Sequence, residues 1–207
     1  MPRTHPDAMQ WVEHGTQLLT TQVAALDEQA MTEPSALPGW TRKHLVAHVA
    51  ANAGALGNLV RWARTGERTP MYSSAGQRNA GIDSGAKLSA AQLATWMHRS
   101  ARNLAAAMDA LTADQWRAEV VTAQGRTVPA TQIPWLRARE VCVHAVDLGT
   151  GLTFAGLPDG FLSALAADIQ AKRGLAGVPD GPLPEVVAYL AGRPHSLAGA
   201  ADLGPWL

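Results

Sequence analysis

At 207 residues the chain is long enough for one domain with a full core, or one domain with a small appendage. Its 17 basic and 17 acidic residues cancel, so there is no basic stripe to recruit nucleic acid and no acidic tail. The single cysteine, Cys142, excludes an internal disulfide, and no stretch approaches the roughly 20 apolar residues of a membrane span.

The start of the chain, Met1-Pro2-Arg3-Thr4-His5-Pro6, is polar and offers no apolar run for a signal peptide, which with the lone cysteine predicts a cytoplasmic protein. Pro6-Asp7 opens a first helix over Ala8 to about Met31, with Trp11, Leu18, Leu19, Val23 and Leu26 at helical spacing. Pro34 and Pro38-Gly39 end that segment. Thr41 is a good N-cap for a second helix, which carries Leu45, Val49, Leu56, Leu59 and Val60 to about Thr65 and stops at Gly66. Glu67 to Gly85, rich in Ser, Gly and Pro, reads as a long loop. Ser89 caps a third helix through Leu93, Trp96, Met97, Leu104, Met108 and Leu111.

Val120-Val121-Thr122 and Thr127-Val128 flank Gln124-Gly125 and predict a short β-hairpin, which Pro129 confines to an edge. Pro134 suits the first turn of a fourth helix ending near Gly149-Thr150-Gly151. Pro158 to Lys172 and Pro182 to Leu190 predict two further helices, and Gly192 to Leu207 has no clear period. The expected architecture is mainly α, an antiparallel four-helix bundle with a β-hairpin over residues 1–156 and a short helical appendage over 157–207.

Chemistry concentrates on the second and fourth helices. Glu140 and His144 stand four residues apart, so a helix puts both on one face about a turn from each other. A carboxylate and an imidazole so placed form two legs of a metal site. One imidazole from another helix would complete three protein ligands and leave an open fourth position, the pattern of catalytic zinc. His48, deep in an otherwise apolar helix, is the candidate, with His44/His48 as a rival pair four residues apart. Cys142 lies about 200° around the helix from Glu140 and reads as a buried thiol facing away. Asp147 reads either as an outer partner of a ligand or as a helix-end charge. Trp40 and Trp135 read as packing residues or pocket walls.

These stretches resemble a known family. Leu37-Pro38-Gly39-Trp40-Thr41 followed by His44 and His48 is similar to the helix-two signature of mycothiol-dependent maleylpyruvate isomerases, within the wider DinB-like superfamily. Trp62-Ala63-Arg64-Thr65-Gly66, Pro70-Met71-Tyr72 with Gln77-Arg78, and Ile133-Pro134-Trp135 through Glu140, His144 and Asp147 resemble that family's later motifs. The resemblance spans roughly Ala8 to Leu157.

It implies a DinB-like four-helix bundle with zinc held by His48, Glu140 and His144, His44 then standing outside the ligand set. It also implies a role for Arg78 in catalysis or substrate binding. The implied reaction is the cis–trans isomerisation of maleylpyruvate to fumarylpyruvate, in the gentisate route of aromatic degradation, with mycothiol as the thiol cofactor. The expected partners are therefore a small-molecule substrate and a low-molecular-weight thiol. Family members usually carry a longer C-terminal α/β domain, and residues 157–207 read as a reduced version of it. That reduction keeps two other functions in play: a mycothiol S-transferase acting on another electrophile, and a non-catalytic metal-binding module of DinB-like fold.

Overall fold

A computed structural model describes residues 3–206; Met1, Pro2 and Leu207, the ends of the segments read above, lie outside the described residues. The chain divides into two compact units, His5–Gly149 and the segment from Thr150 onward together with Arg3 and Thr4.

In the larger unit four long helices carry the core: α1 (His5–Ala24), α3 (Arg42–Thr65), α5 (Ala90–Asp109) and α7 (Ile133–Asp147). They close a ring of neighbours in which α1 packs on α7, α7 on α3, α3 on α5 and α5 on α1. Leu45, Leu56 and Leu59 of α3 are fully buried, as are Ile133 and Val141 of α7. Truncating any one of the leucines to alanine would cost about 2–5 kcal/mol. The bundle with a small β-hairpin is the architecture the helical periods predicted. Gly15 shows how close α1 and α7 come: a Cβ there would meet the Cys142 Sγ at 2.5 Å.

The cap signals proved sharper than the periods. Thr41 caps α3 and His44 completes a capping box with it, while Gly66 ends α3 at a φ of 74°. Ser89 and Gln92 form the same device at α5. The first helix, by contrast, does not run unbroken to Met31. It stops at Ala24 and restarts as α2 (Glu28–Thr32), because the Asp27 carboxylate accepts the Ala30 amide at 2.8 Å and begins a new cap.

The loop expected over Glu67 to Gly85 is coil only to Ser74, and residues Ala75–Gly85 form α4. Ser74 accepts the Gln77 amide at 3.0 Å, and Gln77 Oε1 accepts the Ser73 amide at 2.7 Å. Three glycines and a weak apolar period hid this helix. One of them is there for close approach: a Cβ on Gly85 would sit 2.7 Å from Ala47 Cβ and 2.7 Å from the Trp96 ring.

After the short α6 (Ala113–Arg117), β1 (Glu119–Val121) pairs antiparallel with β2 (Thr127–Pro129), Val120 opposite Val128. Gly125, at a φ of 75°, makes the turn. The smaller unit holds α8 (Asp159–Arg173) and α9 (Leu183–Leu190), packed on each other. Arg173 secures its irregular tail by donating to the carbonyls of Leu190, Leu203 and Gly204 at 3.1, 2.6 and 2.7 Å. Among the described residues no helix is long and apolar enough to cross a membrane.

Candidate metal centre

The site lies where α3 and α7 face each other inside the larger unit. His48 comes from the second turn of α3, 6% exposed in an apolar helix. Glu140 and His144 come from successive turns of α7, so their side chains leave the same face. Glu140 Oε2 stands 2.9 Å from His48 Nε2 and 3.4 Å from His144 Nε2. The three donor atoms all lie within 4.8 Å of one another. His44 does not join them, since its ring nitrogen turns back to the Thr41 amide and hydroxyl at the start of α3.

This donor set fits a tetrahedral cation. Metal–ligand bonds of about 2.0–2.1 Å put neighbouring ligand atoms about 3.3 Å apart, and the two spacings from Glu140 Oε2, 2.9 and 3.4 Å, bracket that edge. Two imidazole nitrogens and one carboxylate oxygen are also the ligand types that zinc takes in sites with an open position.

A buried carboxylate fixes one of the three donors. The Asp147 carboxylate, wholly buried, accepts from His144 Nδ1 at 2.9 Å. One proton is thereby held on Nδ1, and Nε2 is turned toward Glu140. Of the two readings left open for Asp147, the structure selects the outer partner of His144.

The charges are strongly coupled. Burial disfavours the Glu140 carboxylate, yet hydrogen bonds from His144 and His48 outweigh it and hold its pKa well below the usual carboxylate range. Burial likewise pulls His144 down, but Asp147 and Glu140 outweigh it and raise the imidazole to about 9. His48 goes the other way, because its desolvation exceeds the pull of Glu140. Without a cation, therefore, His144 is the imidazole that carries a proton between two carboxylates. A metal ion would take the place of that proton.

Three further groups border the donors. Arg78, predicted in a loop, sits instead on α4 and donates from Nη2 to His48 Nδ1 at 3.3 Å. Tyr72 is half-buried beside Arg78; burial first, and then the Glu140 charge, raise its phenol pKa. Two carbonyls just before it, Pro70 and Met71, are held by Asn58 Nδ2 at 3.2 and 3.3 Å. The Trp40 ring lies 5.5 Å from that of His48 and so walls the site, whereas Trp135 packs against Trp11 at 5.9 Å. Cys142 faces away as expected: its Sγ contacts the Trp11 carbonyl at 3.6 Å, and burial pushes the thiol up to about 12.

Two residues beside the site escaped the sequence reading. Arg137 is 1% exposed and donates from Nη1 to the Val49 carbonyl at 2.8 Å and to Asn52 Oδ1 at 2.9 Å. Burial lowers its guanidinium to about 10, still charged at neutral pH. Their spacing was the available signal: Arg137 lies three positions before Glu140, and Asn52 four after His48.

Comparison with known proteins adds to this geometry. A family model described as the mycothiol maleylpyruvate isomerase N-terminal domain matches residues 12–149. Two solved structures resemble nearly the whole chain. One, a histidine-to-alanine mutant of the mycothiol-dependent maleylpyruvate isomerase, is 37% identical with a TM-score of 0.90, over 98% of this chain and 96% of its own. The other, the mycothiol-dependent maleylpyruvate isomerase itself, is 36% identical with a TM-score of 0.89 over the same shares. The likeness thus extends past the bundle into the smaller unit. A search of the curated proteins found no match.

Proposed function

The chain belongs to the mycothiol maleylpyruvate isomerase family, and from that premise we propose that it is a zinc- and mycothiol-dependent enzyme converting maleylpyruvate to fumarylpyruvate. The observation that carries this reading is the convergence of His48 Nε2, Glu140 Oε2 and His144 Nε2 at spacings that match a tetrahedral edge. These three residues would hold zinc, whose charge stabilises a thiol in its thiolate form near neutral pH. Mycothiol, when bound, would supply the sulfur nucleophile for reversible addition to the cis double bond.

The chain's own groups have distinct tasks. Asp147 holds His144 in the tautomer that leaves Nε2 available. Arg78 brings a guanidinium to the rim of the site, where negative charge develops on a substrate oxygen during addition. Its planar fork also suits bidentate capture of a substrate carboxylate, which a lysine would do less well. The Tyr72 phenol stands beside Arg78 as a second donor. Trp40 lies against the His48 ring on one side of the site. A cytoplasmic setting agrees with a reduced Cys142 and a low-molecular-weight thiol partner.

The test is incubation of the purified protein with zinc, mycothiol and maleylpyruvate, followed by chromatography. Fumarylpyruvate should accumulate, and only when the thiol is present. A stable thioether with other electrophiles and no isomerisation would overturn the reading in favour of an S-transferase. Neither product from fully zinc-loaded protein would leave a binding module.

A further inference from the structure

Arg137 is anomalous. It is a guanidinium with 1% of its surface exposed, in the interior of a bundle, and it pairs directly with no carboxylate among the described residues. Burying a guanidinium is costly unless its hydrogen bonds are satisfied. The hydrogen bonds show where it is anchored. Both leave Nη1 and both end on α3, at the Val49 carbonyl and at Asn52 Oδ1.

Position along the seam gives the consequence. On α7, Arg137 is one turn before Glu140; on α3, Asn52 is one turn after His48. The Arg137–Asn52 contact and the His48–Glu140 contact are therefore adjacent rungs between the same two helices. A sliding or rotation of α7 against α3 that separated His48 from Glu140 would also act against the two bonds of Arg137. The guanidinium also lies close enough to the Glu140 carboxylate to interact with it through space.

We propose that Arg137, clamped to Val49 and Asn52, is the positioning residue of the metal centre, setting the register of α7 on α3 that brings Glu140 and His144 to His48. This rests on the reading of those three residues as metal ligands. It gives Arg137 no contact with substrate or thiol; the residue acts through Glu140.

Electrostatics supplies a sign that separates positioning from charge. Arg137 is a cation near a cation site, so removing its charge alone would tighten metal binding. Loss of the clamp would loosen it, by the roughly 10–100-fold typical when an outer partner of a metal site is removed. The positioning role therefore predicts weaker binding in Arg137→Met despite the favourable change in charge. It predicts the same direction, with a smaller effect, in Asn52→Leu, which leaves the guanidinium in place.

The experiment measures zinc affinity by competition with a chromophoric chelator, and the visible absorption of the cobalt-substituted protein, for wild type, Arg137→Met, Arg137→Lys and Asn52→Leu. Circular dichroism selects the folded variants. The expected result is at least tenfold weaker zinc binding and altered cobalt bands in Arg137→Met, with partial recovery in Arg137→Lys, which can still reach one acceptor. If Arg137→Met does not fold, Arg137→Lys and Asn52→Leu decide by the same readouts. Unchanged or tighter zinc binding with wild-type cobalt bands, in any folded variant lacking the clamp, overturns the proposal. Failure of the wild type itself to bind zinc would overturn the metal reading first, and this inference with it.

Discussion

A single carboxylate oxygen, Oε2 of Glu140, takes contacts from two imidazoles, and each imidazole has a neighbour at its other nitrogen. Asp147 stands behind His144, and Arg78 lies against the far nitrogen of His48. Asp147→Asn keeps the size of the side chain while weakening its grip on Nδ1–H and allowing the other tautomer. Zinc affinity should fall about 10–100-fold, read by chelator competition; an unchanged affinity would make Asp147 only a helix-end charge. Arg78→Lys should act differently. Turnover should fall about a hundredfold, the scale for losing one preorganised donor to developing charge, while zinc content by metal analysis stays at the wild-type level. Loss of zinc in that variant would assign Arg78 to structure.

What could be read at this scale depended on spacing within one helix. Glu140 and His144 were visible because four residues make about one turn, and His48 because an apolar helix has little reason to bury an imidazole. Arg137 and Asn52 were not singled out, since their partnership exists only across the α3–α7 seam. Tyr72 was legible only as part of a motif. Asp147 had two readings until its contact with His144 separated them.

At the scale of elements, capping chemistry placed α3 and α5 well because Thr41, Gly66 and Ser89 act locally. Helix α4 was hidden because its glycines, unfavourable for a helix on their own, answer to neighbours distant in sequence. Gly85 carries that point to a test. Glycine to alanine in a helix ordinarily gains about 0.5–1 kcal/mol. Here the new Cβ would lie 2.7 Å from Ala47 Cβ on α3 and 2.7 Å from Trp96 on α5, and overpacking costs about 1–3 kcal/mol. The clash wins because one of its partners is a short side chain on a buried helix. Gly85→Ala should therefore destabilise the protein by denaturant titration and, by shifting the helix that carries Arg78, reduce turnover. A gain in stability would mean that α4 sits more loosely than described.

For the molecule as a whole, the proposed metal is expected to tie the larger unit together, because its candidate ligands join α3 to α7. A ligand that binds only the folded state at 100 times its dissociation constant adds about 2.7 kcal/mol, and each kcal/mol moves the midpoint about 2–4 °C in a chain of this size. Chelation of the zinc-loaded protein should thus lower the melting temperature by several degrees, and re-addition of zinc should restore it. An unmoved midpoint would place the three donors outside any stabilising site.

The most direct measurement is metal content by elemental analysis of the wild type beside His48→Ala, Glu140→Ala and His144→Ala, with circular dichroism to establish that each is folded. About one zinc per wild-type chain, the content expected of a single three-ligand site, falling to near none in each folded variant, is the predicted result. Zinc retained at the wild-type level in those variants, or absent from a wild type supplied with it, would contradict the account.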